Sequence, residues 1–194
     1  VLKFLAPVYV GWSLGANDAS NAFGTAVASK MLRFRTAALL GAGFVVLGSV
    51  LEGRAGLETI GGLADFEYHT AVIASVAAAV AVTVLTILRL PISTSQAVVG
   101  AIVGLGLVEG GVHLDGLAKI VVCWIGTPIG SMLAAMVLYV VLAPLFNRLS
   151  YRMIAFDFVL RACLVVVGCY AAYALGANNV ANVTGAFVGA GILE

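Results

Sequence analysis

Six long apolar stretches, at 4–29, 37–51, 71–88, 91–108, 117–145 and 158–193, alternate with short segments that hold most of the charge. Runs of this length, without the period-two alternation of barrel strands, predict membrane helices. At 1.5 Å per residue the first stretch would be about 39 Å long, and the fifth about as long. Both exceed the ~30 Å hydrocarbon layer, so each is expected to tilt or break. Thr127-Pro128 is the expected break in the fifth, because proline removes a backbone donor and crowds the preceding turn. The sixth is longer still and reads as a span, a break and the start of another element.

Polar residues interrupt two of these stretches in the same way. Residues 15–30 read GANDASNAFGTAVASK and residues 176–191 read GANNVANVTGAFVGAG, 161 positions on. Gly15, Ala16, Asn17, Asn21, Gly24 and Val27 recur as Gly176, Ala177, Asn178, Asn182, Gly185 and Val188. Upstream, Tyr9 and Leu14 recur as Tyr170 and Leu175. A repeated polar, glycine-bearing interruption in two membrane segments predicts a transporter built from two related halves.

Composition agrees. The chain is 62% hydrophobic and 10% charged, with 23 glycines, whereas a soluble domain is roughly a quarter charged. A net charge of +1 with no basic cluster argues against a nucleic-acid partner. The loops sort by sign. Lys30, Arg33 and Arg35 follow the first stretch, Arg89 the third, and Arg148 and Arg152 the fifth. Glu52, Glu58, Asp65 and Glu67, opposed only by Arg54, fill the second loop; Glu109 and Asp115 lie in the fourth.

With the basic loops in the cytoplasm, the chain starts outside and each stretch crosses once. Five crossings then separate the entries of the two phrases, so the second runs opposite to the first and the repeat is inverted. A re-entrant 91–108 would put Arg148 and Arg152 outside, against the charge rule, so a crossing is expected there. The expected division is a first repeat of about five spans over 1–150 and an incomplete second repeat starting at 151–194. The chain begins at Val1 and stops inside an apolar stretch, and so reads as part of a longer protein.

Three motifs carry chemistry. On a helix Asn17 and Asn21 stack at i and i+4, with Asp18 100° round from the first. Asp18 is the one carboxylate well inside the first five stretches. An intramembrane acid is by default a functional group, a cation ligand or a proton carrier; the alternative is that the asparagines merely clamp two helices. The second phrase keeps the amides in Asn178 and Asn182 but has Asn179 in place of the acid. One charged and one neutral framework suit a site that binds an anion and cations together, since amide oxygens coordinate hard cations and amide N–H groups face oxyanions. A helix clamp would also account for the second phrase.

The third motif is Pro91-Ile92-Ser93-Thr94-Ser95-Gln96, the signature of a helix N-terminus. Free N–H groups, the positive end of the macrodipole and three hydroxyls make an anion site there. Ordinary capping by Ser93 accounts for one hydroxyl and leaves two.

Other features are plainer. Gly11/Gly15, Gly100/Gly104, Gly106/Gly110, Gly126/Gly130 and Gly185/Gly189 have the GxxxG spacing of close helix packing. Cys123, Cys163 and Cys169 read as small packing residues. His69 and His113 have no companions at metal-ligand spacing. No phosphate-loop, dinucleotide, nucleophile-elbow or zinc motif is present, and an enzyme is not expected.

GANDASNAFG, GANNVANVTG and PISTSQ together resemble the inorganic phosphate transporter (PiT) family of membrane symporters, over the whole chain and in order. The resemblance implies an all-α, inverted-repeat fold with broken transmembrane helices in the cell membrane. It also implies uptake of inorganic phosphate driven by sodium or protons, with no further cofactor. Residue by residue, it implies that Ser93, Thr94, Ser95 and Gln96 face phosphate, with Asn17, Asn178 and Asn179. It implies a sodium site drawn from Asp18, Asn17, Asn21, Asn178 and Asn182. The family's second proline-serine-threonine motif would lie near position 254, past Glu194. The lack of intramembrane histidines favours sodium over protons. A metal–phosphate substrate, another oxyanion such as sulfate, and a homodimer formed through small-residue faces all remain open.

Overall fold

The computed structural model describes residues 4–64, 67–109, 111–149 and 153–193. Among the described residues it has seven helices: α1 (Leu5–Ala28), α2 (Phe34–Glu52), α3 (Arg54–Gly61), α4 (Tyr68–Ile87), α5 (Thr94–Glu109), α6 (Leu114–Leu149) and α7 (Met153–Gly189). An isolated antiparallel bridge joins Ala64 to Val112. Helices are the expected outcome, because a single segment in hydrocarbon must satisfy its own backbone groups. Four of them, α2, α4, α6 and α7, are long and apolar enough to cross a membrane, which makes this a multi-pass membrane protein.

The breaks in the helices are not where the sequence placed them. α1 continues through Asn17 and Asp18 for 24 residues, α6 contains Pro128 and Pro144 within 36 residues, and α7 carries Asn178 and Asn179 within 37 residues. A proline removes a single donor, and a membrane helix absorbs that loss by local adjustment. The interruptions fall instead at Gly53, between α2 and α3, and at 88–93, between α4 and α5.

The ends of α1 and α7 are built alike. After α1, Ser29 N–H donates to Thr25 O, Lys30 N–H to Val27 O and Leu32 N–H to Ala26 O, each at 3.0 Å. After α7, Ala190 donates to Ala186 O at 3.1 Å, Gly191 to Val188 O at 2.9 Å and Leu193 to Phe187 O at 3.3 Å. Every atom pair is displaced by 161 positions, the repeat spacing. The left-handed residue that stops the helix is Gly191 in the second copy (φ 65) and Lys30 in the first (φ 59).

α1 and α7 pack antiparallel. Gly11 faces Val183 near one end, and Phe23 fills the space over Gly168 near the other. Phe23 forms a core cluster there with Ala37, Cys169 and Ala172. α2 and α3 follow α7 in parallel: Gly48 lies against the Tyr173 carbonyl, Gly53 against Val180, Gly56 against Ala181 and Gly61 against Gly185. A side chain at Gly48 or Gly176 would collide with backbone of the facing helix. By contrast Gly15, Gly100, Gly104, Gly126 and Gly130 face open space, with no atom within 4 Å of where a side chain would begin. Of the expected GxxxG contacts, Gly185 is a close approach, to Ile60 and Gly61, and Gly106 meets Val112; Gly110 lies outside the described residues.

α4 and α5 depart most from expectation. α4 runs parallel to α1, with Val10 and Leu14 packed on Ala79 and Val82 and Asn17 Nδ2 donating to Thr86 Oγ1 at 3.0 Å. It ends at Ile87, and α5 turns back from Thr94 so that Glu109 Oε2 accepts from Thr70 Oγ1 at 3.1 Å. The tip is level with Asp18, while α1 continues for roughly another 15 Å. This pair is therefore an antiparallel hairpin with its two open ends together and its tip beside Asp18, short of the end of α1.

Candidate functional site

The hairpin tip delivers the hydroxyl motif to the polar phrases of α1 and α7. Asp18, 7% exposed, accepts on Oδ2 from Asn179 Nδ2 at 2.7 Å and from Thr94 Oγ1 at 3.2 Å. Ser95 Oγ accepts from Asn182 Nδ2 at 3.0 Å and from Asn178 Nδ2 at 3.4 Å. Asn182 Nδ2 also reaches Asn179 Oδ1 at 3.2 Å. One connected network thus joins α1, α5 and α7.

Ser93 plays the capping part: its Oγ accepts from the Gln96 N–H at 3.4 Å. Thr94 and Ser95, the two hydroxyls that capping leaves over, bond to Asp18 and to the asparagines. No cation lies within ion-pair distance of Asp18 among the described residues. Two neutral donors and the N-terminal end of α5 stabilise its carboxylate, since the positive end of the macrodipole favours an anion.

Not every expected residue joins the network. Asn17 is half-buried and bonds to Thr86 of α4, a partner that sequence reading missed. Asn21 is exposed and makes no side-chain hydrogen bond among the described residues. Its repeat counterpart Asn182 is buried in the centre of the network. Cys169 is buried as expected of a packing residue, but Cys123 and Cys163 are exposed.

Beside the network a cleft of about 720 Å³ opens between α3, α5, α6 and α7. Ser93, Ser95, Gln96, Asn178 and Asn182 line it on one side and Lys119 on another. It is large enough for a hydrated oxyanion and offers hydroxyl and amide donors. The signal for Lys119 was a lone cation inside the apolar run 117–145. A second, shallower hollow at Glu52, Arg54, Ala55 and Glu58 contains none of these residues; Arg54 and Glu58 form a surface ion pair there at 3.1 Å.

Residues 14–160 match the profile of the family described as "Phosphate transporter family". Sodium-dependent phosphate transporter 1 of Mus musculus is 35% identical over 152 residues, covering 72% of this chain and 22% of the mouse protein. Sulfate permease CysP of Bacillus subtilis is 30% identical over 195 residues, covering 98% of this chain and 54% of the permease. Among solved structures, "The sodium-dependent phosphate transporter" superposes with a TM-score of 0.81 at 22% identity, over 98% of this chain and 66% of that one; that likeness shows the fold. The chain spans about half or less of the length of the curated relatives it matches.

Proposed function

This chain belongs to the phosphate transporter family, and on that premise we propose that it forms part of a cell-membrane symporter that takes up inorganic phosphate with sodium. The observation that carries the reading is the single network in which two copies of one polar phrase meet a hydroxyl motif around one carboxylate.

In this reading Asp18 is the sodium ligand. Amide oxygens of Asn178 and Asn182, which lie on the network, complete the cation shell, since hard cations take oxygen ligands; Asn17 and Asn21, also expected there, lie off it. Phosphate occupies the cleft against Ser93, Ser95 and Gln96, with amide donors from Asn178 and Asn182, while Thr94 and Asn179 hold Asp18 beside it. Coupling then follows from electrostatics. Asp18 already sits at the N-terminus of α5, so an incoming dianion and the carboxylate compete for the same positive end. Sodium removes that conflict by neutralising Asp18, and phosphate binds after it. A dianion without that cation would be prohibitively unstable in a site of low dielectric.

We assign residues 1–150 to a first repeat and 151–194 to the start of an inverted second one. The antiparallel packing of α1 and α7 and their matched helix ends support that assignment. Rocking of one repeat against the other exposes the site to each face in turn.

A sulfate carrier is the second reading, favoured by the match to a sulfate permease over 98% of this chain. The test is radiolabelled uptake into proteoliposomes holding the complete transporter, with an inward sodium gradient at equal pH. Sodium-stimulated phosphate uptake that excess sulfate does not compete away is expected. Uptake driven by a proton gradient and indifferent to sodium would reassign Asp18 to a proton. Sulfate uptake without phosphate uptake would establish the second reading.

A further inference from the structure

We propose that Lys119 draws the anionic substrate into the cleft, setting affinity from its mouth without belonging to the inner site. The inference rests on the oxyanion-carrier reading above.

α6 docks through one face of its first turns. Gly116 meets Leu63, and Leu117, Ile120 and Trp124 pack on the core cluster built around Leu63, Val98 and Ile102. This docking presents Lys119, Cys123 and Thr127, at i, i+4 and i+8, to the cleft as a polar stripe. Lys119 lies near the start of α6, and Thr127 is about 12 Å further along the helix.

Among the described residues lining the cleft, Lys119 alone is formally charged, facing the hydroxyl and amide donors of α5 and α7. It forms no ion pair among the described residues, even with Asp115 one turn away. A cleft with low-dielectric walls focuses the field of such a charge and raises the local concentration of the opposite ion. An ammonium on a flexible stem is a hydrated point charge, suited to attracting an anion and releasing it inward. It also answers a difficulty of the site itself, where the carboxylate of Asp18, bonded to Thr94 at the start of α5, repels phosphate until a cation binds.

Two measurements on the complete transporter test this. In uptake assays Lys119→Gln should raise the phosphate KM about three- to tenfold, with kcat held and a weaker dependence on ionic strength. Lys119→Arg should keep the wild-type values. The second measurement does not depend on transport. With Cys123 as the one reactive thiol, its labelling rates by anionic and cationic methanethiosulfonate reagents are compared. Lys119→Gln should lower the anionic-to-cationic ratio several-fold, because Cys123 lies one turn from the lost charge. An unchanged ratio overturns the proposal even if KM rises, since a purely structural defect would do that. An unreactive Cys123 overturns it as well. If the wild type carries no phosphate, the functional reading fails, and the labelling ratio still decides the role of Lys119.

Discussion

Asn179 donates a hydrogen bond to Asp18 at 2.7 Å, and the two residues are 161 positions apart, the spacing at which the polar phrase repeats. Each is therefore the counterpart of the other in its own copy. Equivalent residues touch across a two-fold relation only near its axis. The axis of the proposed inverted repeat thus passes by this pair, and the carboxylate stands on one side of it with an amide on the other.

That asymmetry leads to the first prediction. Asp18→Asn should leave a folded protein, because an amide can still bond to Asn179 and Thr94, but sodium-driven phosphate uptake should fall roughly a hundredfold, the equivalent of about 3 kcal/mol for a lost charged ligand. Gradient-driven uptake in proteoliposomes reads this directly. Normal coupling in the variant would remove Asp18 from the cation site.

Ser95 and Ser93 should separate. Ser95→Ala breaks the link from α5 to Asn182, and phosphate KM should rise about tenfold, in line with a lost bond of 1–2 kcal/mol. Ser93→Ala removes the Gln96 cap, and thermal unfolding in detergent should show a loss of about 1 kcal/mol. Equal effects of the two on KM would contradict the division of labour.

The glycines give a stability test. Gly48→Leu and Gly176→Leu drive a side chain into the backbone of the facing helix and should lower stability by about 1–3 kcal/mol or more. Gly100→Ala and Gly104→Ala meet open space in this chain and should be neutral or gain up to about 1 kcal/mol from helix propensity. Unfolding temperatures of the purified variants check both.

The parts legible in the sequence were those where hydrocarbon makes polarity expensive. Asn17, Asp18, Asn178 and the hydroxyls of 93–95 stood out because each interrupts an apolar run, and all of them sit at or beside the network. The hairpin was not legible. Residues 71–88 and 91–108 are long and apolar whether they cross or turn back, and only the pairing of Asn17 with Thr86 fixes the depth of the tip. The glycine contacts escaped for a similar reason. GxxxG spacing marks a small-residue face, but which face meets a neighbour depends on the path of α2 and α3 along α7, where Gly48, Gly53 and Gly56 lie. Asn21 matches Asn182 in sequence, yet only Asn182 faces the hairpin.

The central claim is that cation and phosphate share one site and bind cooperatively because sodium neutralises Asp18. The most direct test is phosphate affinity of the purified complete transporter, titrated at several sodium concentrations and constant ionic strength. Sodium should tighten phosphate binding by about tenfold or more, and phosphate should tighten sodium binding by the same factor, as linkage requires. Phosphate affinity that does not change with sodium would contradict the account.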